Sequence, residues 1–230
     1  MTKIVKLFES IRTQTKKFLG SKRGDEFENQ IEYFLRNRLS LTKIDKDTFR
    51  SDNLPEYKKI RTTLRDKSFE GLIQRPDNIL CDSFIFQPPF GSQNFPDFLI
   101  FTDDFVVPLE IKFTSDTKTK PVWNSWIPMD EGIYIFGSYG LSDITFFRGK
   151  DILTTDQRAL LISFFDELKP IEHDGNTKIA NFDFHDRGFQ VYIRKAFDQK
   201  LIHSSTELNY FQHKDREKIE CSVIDFVGKL

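Results

Sequence analysis

Two neighbouring stretches of the chain decide the fold: PDFLIF at residues 96–101 and VVPLEIKF at residues 106–113. Both are rich in β-branched and aromatic residues, and a short polar segment separates them. Apolar runs on either side of a short polar turn predict a β-hairpin. If Asp103 and Asp104 form its tip, paired residue numbers sum to 207, and Asp97 lies directly opposite Glu110.

Three charged residues, Asp97, Glu110 and Lys112, lie inside these apolar runs, where burial of an unpaired charge is costly. Side chains alternate along a strand, so Lys112 shares a face with Glu110 while Leu109 and Ile111 point into a core. Two opposed carboxylates have Cβ atoms about 5 Å apart. At an effective dielectric constant near 20 they repel by roughly 3 kcal/mol.

Either protonation of one carboxyl group or a cation between the two relieves this repulsion. A few oxygen ligands with room for water and phosphate suit Mg²⁺ better than a softer metal. The pattern therefore predicts a Mg²⁺ site with a lysine beside it, which is equipment for hydrolysing a phosphodiester. A plain structural interpretation stays open: an exposed acid at a strand start and an ordinary Glu–Lys pair on an edge strand. Asp-Asp is also not a favoured hairpin dipeptide, and a longer loop would shift the register.

The remaining patterns predict helices first, then a group of strands, then a further helix. Apolar residues at helical spacing predict helices over residues 3–19, 25–39 and 56–67. Strand-like patterns occupy residues 84–87, 132–136, 143–147 and 189–194. Thr154 begins a capping box, and we expect its helix to end at Lys169, before Pro170.

This order of elements indicates an α/β (α+β) protein with a mixed central β-sheet flanked by helices. We expect a single domain over residues 1–230, made of a helical, basic part at about 1–75 and a core at about 80–195. Residues 1–75 hold 18 Lys+Arg against 11 Asp+Glu, a net charge of +7, whereas the remainder has a net charge of −8. A basic part suits a phosphate-binding surface, although solvated helical faces are also often basic.

The composition excludes several classes of protein. With 38% hydrophobic residues and a formal net charge of −1, the chain is not intrinsically disordered. No apolar run approaches the roughly 20 residues that cross a bilayer, so we expect no membrane association. Two cysteines form no disulfide framework, which favours a reduced, cytoplasmic protein.

The residues 96–97 (PD) followed by 110–112 (EIK) resemble the signature of the PD-(D/E)XK nuclease superfamily. The flanking segments QPPFGSQ at 87–93 and KPVWNS at 120–125 resemble those of its type II restriction endonucleases. The resemblance covers about residues 84–136, near a quarter of the chain. It implies a restriction-endonuclease-like αβββαβ core and a magnesium-dependent enzyme that cleaves double-stranded DNA at specific sequences.

By the same resemblance, Asp97 and Glu110 are metal ligands together with the main-chain carbonyl of Ile111, and Lys112 is the catalytic base or water-positioning group. Some members of the superfamily add a Glu from a helix before the sheet. Glu28 is the best candidate for that role, although an acid near a helix N-terminus is also favoured by the helix dipole alone.

The segment after the EIK motif supplies candidate DNA contacts. Lys118, Lys120 and Asn124 have side chains that can bind phosphates or base edges. An ordinary solvated loop is an equally simple interpretation, and for Trp123 we expect packing rather than DNA contact.

Cleavage of both strands of a duplex calls for two active sites, so we expect a homodimer. Two alternatives remain open: another PD-(D/E)XK nuclease acting in repair, on junctions or on RNA, and a non-catalytic nucleic-acid-binding or protein-binding module of the same fold. A histidine–zinc site and a GIY-YIG nuclease at residues 132–134 fit the sequence poorly, since the histidines are scattered and the second tripeptide is missing.

Overall fold

The computed structural model describes residues 2–66, 69–86, 88–91, 94–123, 127–182, 187–193 and 209–230, in which helices flank a mixed seven-stranded sheet. The strands are β1 (Thr42–Lys43), β2 (Ile73–Gln74), β3 (Ser83–Phe86), β4 (Phe98–Phe101), β5 (Phe105–Thr114), β6 (Ile133–Ser138) and β7 (Asp143–Arg148). The helices are α1 (Val5–Thr13), α2 (Thr15–Leu19), α3 (Gly24–Tyr33), α4 (Lys46–Asp52), α5 (Leu54–Arg65), α6 (Thr155–Ala180) and α7 (Arg216–Gly228). A π-helical turn, Phe34–Arg38, continues α3, and a 3₁₀ turn, Gly149–Asp151, follows β7.

The sheet has the strand order β1-β3-β4-β5-β6-β7. Strands β3, β4 and β5 form an antiparallel meander, β6 runs parallel to β5, and β7 returns antiparallel to β6. Strand β1 is parallel to β3, and β2 pairs with the beginning of β5. The predicted α+β class with a mixed sheet flanked by helices is confirmed.

The hairpin of β4 and β5 has the register predicted from the sequence, because Phe98 pairs with Leu109 and Phe101 pairs with Val106. At its tip, the backbone N–H of Thr102 donates to the carbonyl of Phe105 at 2.9 Å. The Thr102 hydroxyl accepts from the backbone N–H of Phe105 at 3.1 Å. This side-chain bond stabilises an Asp-Asp turn that lacks the usual hairpin residues.

A proline occupies the middle of β5 without breaking it. Pro108 faces Leu99, and the hydrogen-bonded Thr102–Phe105 pair makes Leu99–Pro108 a pair without ladder hydrogen bonds. The missing N–H of Pro108 is therefore not needed by β4. Pairing of β5 with β6 begins only at Leu109, so β6 does not need it either.

Successive side chains of each strand point to opposite faces of the sheet, so the hydrophobic core has two parts, one on each face. One face packs against α1, α2, α3 and α7 through residues such as Phe98, Ile100 and Leu109. The other face packs against α4 and α5 through residues such as Leu99 and Phe101. The basic part at 1–75 therefore covers both faces of the sheet.

The predicted helices and central strands are confirmed with small shifts of their ends. The helix expected over 3–19 is divided into α1 and α2 at Gln14. Val223 and Val227 of helix α7 belong to the core on the face that α1, α2 and α3 cover. The core predicted at about residues 80–195 therefore leaves out this helix. None of the helices in the described residues is long and apolar enough to cross a membrane.

The connection between β5 and β6 departs from the αβββαβ order that the resemblance implies. The antiparallel meander and the following parallel strand are present, but residues 115–123 and 127–132, the described part of the connection, contain no helix. The restriction-endonuclease core thus remains an expectation.

Two further predictions were wrong. Helix α6 continues through Pro170 to Ala180, because proline removes a single backbone N–H and disfavours a helical preceding residue without forbidding it. Residues 187–193 form no strand. Their backbone is bound by side chains of α6 instead, since Asn176 exchanges hydrogen bonds with the backbone N–H and carbonyl of Val191.

Candidate functional site

The hairpin register brings the acidic residues of the motif together. Asp97 immediately precedes β4, and the numbering of the paired residues places it opposite Glu110 on β5. The pair falls at a non-hydrogen-bonded position of the ladder, where facing side chains come closest. Lys112 follows two residues later on the same face, whereas Leu109 and Ile111 point into the core on the other face.

The carboxylate of Asp97 accepts a backbone hydrogen bond from β5 at a position where β4 provides no backbone acceptor. Strand β4 begins at Phe98, whereas β5 continues to Thr114, so the N–H of Ile111 lies beyond the end of its neighbour. Asp97 Oδ2 accepts a hydrogen bond from this N–H at 2.7 Å. The bond fixes the carboxylate beside β5 and leaves Oδ1 for other interactions.

Glu110 and Lys112 form a close ion pair. Lys112 Nζ donates to Glu110 Oε1 at 2.9 Å, and the two side chains are only 13% and 9% exposed. Glu110 Oε2 is buried and has no hydrogen-bond partner in the described residues. A buried carboxylate oxygen without a donor is costly unless a cation or a solvent molecule binds it.

Burial raises the pKa of Asp97 from 3.8 to about 8, and the charges of Glu110 and Glu28 act in the same direction. The hydrogen bond from Ile111 and the charge of Lys112 partly oppose this shift. In the absence of a cation, Asp97 therefore holds a proton at neutral pH. Because only Glu110 is then charged, the two carboxyl groups do not repel each other. A divalent cation would displace that proton, because it stabilises both carboxylates in their charged form.

Helix α3 brings a third acid to this cluster. Phe27 packs against Phe113 near the end of β5, with ring centroids 5.5 Å apart, and Glu28 is the next residue. Burial raises the pKa of Glu28, and the charges of Glu110 and Asp25 add to the effect. Glu28 therefore interacts electrostatically with the acids of the hairpin rather than only with its own helix.

The donors around the hairpin suit a hard cation. They comprise Asp97, the unpartnered Glu110 Oε2 and the main-chain carbonyl of Ile111, which leaves the strand on the same side as the N–H bound by Asp97. Oxygen donors of this kind fit Mg²⁺ with water and phosphate completing its coordination. No group of three or more His, Cys, Asp or Glu side chains in the described residues is arranged to hold a metal, and a role for Glu28 as a ligand stays a prediction.

Aromatic residues surround the lysine of the site. Lys112 Nζ lies 5.9 Å from the ring centroid of Trp123, which packs edge-on against Tyr134. The packing predicted for Trp123 is confirmed. Tyr134 lies opposite Glu110 on β6, and its hydroxyl accepts from the N–H of Met129 at 2.7 Å. The proximity of Tyr134 to Glu110 could not be predicted from the sequence, because nothing in the sequence fixes the register of two parallel strands joined by a long connection.

A cleft of about 210 Å³ lies beside the site and has a basic lining. Lys112, Lys118 and Lys120 contribute to it, together with Thr114 and exposed Val122. The two loop lysines thus lie next to the acidic cluster, as the DNA-contact prediction requires. Asn124, the third predicted contact, lies outside the described residues.

Neither a protein-family model, nor a curated protein, nor a solved structure matches this chain. The PD-(D/E)XK resemblance therefore stays an expectation drawn from the motif and its flanks, and the chemistry of the site rests on its geometry.

Proposed function

We propose that the protein is a magnesium-dependent, sequence-specific endonuclease of the type II restriction class that hydrolyses phosphodiester bonds of double-stranded DNA. One observation carries the proposal: the hairpin places Asp97, Glu110 and Lys112 on one face, with a buried oxygen of Glu110 that has no partner in the described residues. A buried cluster of two opposed acids and an amine is unfavourable for stability alone, because one carboxyl must hold a proton.

Each residue has a role that follows from its position. Asp97, Glu110 and the Ile111 carbonyl would hold Mg²⁺, which supplies Lewis-acid activation of a water molecule and of a phosphate oxygen. Lys112, held by Glu110 and the face of Trp123, orients the attacking water and stabilises negative charge on the phosphate. Ile111 N–H keeps Asp97 directed at the site during the reaction.

The distribution of charge supports a nucleic-acid substrate. Residues 1–75 carry a net charge of +7, and the cleft beside the site contains Lys118 and Lys120. Lysines next to the reacting phosphate neutralise the neighbouring phosphates of the backbone. Hydrolysis of both strands calls for two such sites, so the proposed enzyme is a homodimer. Cys81 and Cys221 are both free, which agrees with the proposed cytoplasmic location.

The test is incubation of unmethylated phage and plasmid DNA with the protein and Mg²⁺. Discrete fragments are the expected result, and they should disappear with a chelator and with Asp97→Ala. Asp104→Ala, at the exposed tip of the same hairpin, is the matched control and should cleave normally. A smear, or cleavage that the Asp97 variant retains, would contradict the proposal.

One observation keeps the non-catalytic module in competition: the described residues hold no group of three or more metal-ligating side chains. If the wild-type protein binds DNA without cleaving it, and binds no Mg²⁺ or Ca²⁺ through Asp97 and Glu110, this second function is the better one. Preference for branched, damaged or single-stranded substrates, or for RNA, would instead indicate another nuclease of the superfamily.

A further inference from the structure

Helix α6 is the least buried long element of the described structure. It has 26 residues and is about 39 Å long, yet Arg158 is its only buried residue. Arg158 anchors the beginning of the helix by donating to the Pro128 carbonyl and by an ion pair with Asp130 at 3.2 Å. Further along, residues 187–193 contact the helix near Asn176. Between these two points none of the side chains of the helix is fully buried.

Several large apolar side chains are exposed on α6 and on the segment that follows it. Six large hydrophobic side chains in this region are more than half exposed: Leu160, Phe164, Ile171, Phe182, Phe189 and Tyr192. Leu160, Phe164 and Ile171 lie on α6, whereas Phe182, Phe189 and Tyr192 lie beyond its last residue, Ala180. Monomeric proteins rarely leave contiguous apolar patches larger than a few hundred Å² open to water.

The apolar residues of α6 follow a spacing typical of helix pairs. Leu161, Phe164, Leu168 and Ile171 succeed one another at intervals of three, four and three residues. Gly175 continues this spacing, but Val191 of the same chain packs against it. In an antiparallel pair of identical helices, Leu161 of one copy meets Ile171 of the other, and Phe164 meets Leu168. The two-fold axis then passes near residue 166, between the two points at which the helix is attached.

We propose that this face of α6 is a homodimer interface, formed by antiparallel pairing with α6 of a second copy of the chain. The helix itself carries three of these exposed side chains, Leu160, Phe164 and Ile171, and the aromatic residues beyond its end add area toward the roughly 800 Å² that each partner contributes to a stable interface. Nucleic acid is a poor occupant, because α6 carries five acidic and three basic residues and one of the basic residues is the buried Arg158. This interface would join the two copies of the proposed enzyme, and its evidence is the exposed face of α6, which does not depend on nuclease activity.

The first test is the oligomeric state of the full chain by sedimentation equilibrium at about 50 µM. The wild type should be a dimer, and Phe164→Glu and Ile171→Glu should be monomers with unchanged circular dichroism. Ala159→Glu, an exposed position on the opposite side of the same helix, is the control and should stay dimeric. A monomeric wild type, or a dimer that survives both substitutions, overturns the proposal.

The second test checks the direction of pairing in a Cys81→Ser, Cys221→Ser background. Leu161→Cys and Ile171→Cys variants, mixed and oxidised, should form a disulfide-linked heterodimer, and neither should cross-link with itself. Self-cross-linking of Leu161→Cys would show parallel helices and contradict the arrangement. Because neither test measures cleavage, a dimer without nuclease activity refutes only the proposed function, and a monomer with nuclease activity refutes only the interface.

Discussion

Asp97 and Ile111 are joined by a 2.7 Å hydrogen bond from a backbone N–H to a carboxylate, at the point where β5 extends past β4. Through this bond, the part of β5 that extends past β4 fixes the position of the Asp97 carboxyl group at the beginning of β4. Asp97 is thereby held opposite Glu110 although burial and the charge of Glu110 both raise its pKa.

The free energy of unfolding of the metal-free protein should fall as the pH rises from about 4 to 8. Asp97 has a pKa of about 8 in the fold against 3.8 when exposed, so the folded state holds the extra proton in that range. Each pKa unit corresponds to about 1.4 kcal/mol. Asp97→Asn keeps an acceptor for Ile111 and should be more stable than the wild type at pH 8.5 but not at pH 4. Urea unfolding with a chelator measures this, and Asp104→Asn, at the exposed turn, should show no such gain.

Glu28→Gln should lower the pH at which Asp97 releases its proton, because it removes a nearby negative charge. The decline of stability with pH should therefore end at a lower pH than in the wild type. Glu26→Gln, two residues earlier on the same helix, is the control. Identical profiles for wild type and Glu28→Gln would show that Glu28 is not coupled to the hairpin.

Lys112→Met should destabilise the metal-free protein at pH 8 by about 3 kcal/mol, because it leaves Glu110 nearly buried without its partner. Combined with Glu110→Gln, the same substitution should cost much less, since no unpaired charge remains. Chemical unfolding of the two single variants and the double variant measures the coupling energy. Additive effects would mean that the ion pair contributes nothing, and Lys118→Met provides the exposed control.

Ca²⁺ should bind with an affinity that falls by up to tenfold for each pH unit below about 8, because binding must displace the proton of Asp97. Calorimetric titration at pH 6.5, 7.5 and 8.5 measures this dependence. Binding should also raise the melting temperature, and Glu110→Gln should abolish both effects. A pH-independent affinity would place the cation elsewhere in the molecule.

Substitution of Lys118 and Lys120 by Gln should weaken DNA binding and lower its salt dependence. Each phosphate contact contributes about 0.9 to the slope of log K against log salt concentration, so the double variant should lose about 1.8. Fluorescence anisotropy with Ca²⁺ between 50 and 200 mM salt gives the slope. Lys169→Gln, on the acidic helix α6, should leave it unchanged.

Much of the hairpin and of the site could be predicted from the sequence, for a local reason. The turn is two residues long, so counting outward from Asp103 and Asp104 gives the register and places Asp97 opposite Glu110. The two-residue period of a strand then places Lys112 on the same face. Helix α6 was less predictable, because the sequence pattern does not tell whether a helix ends at Pro170 or continues past it.

The sequence by itself determined the elements whose contacts are local: the hairpin, the faces of β4 and β5, and the helices with clear apolar spacing. Only the tertiary structure decided which distant segments meet, such as Glu28 with the acids of the hairpin and Tyr134 with Glu110. It also decided that residues 187–193 lie along α6 instead of joining the sheet. The physical reason is that periodicity and turn chemistry act over a few residues, whereas burial and charge couple groups that only the packed fold brings together.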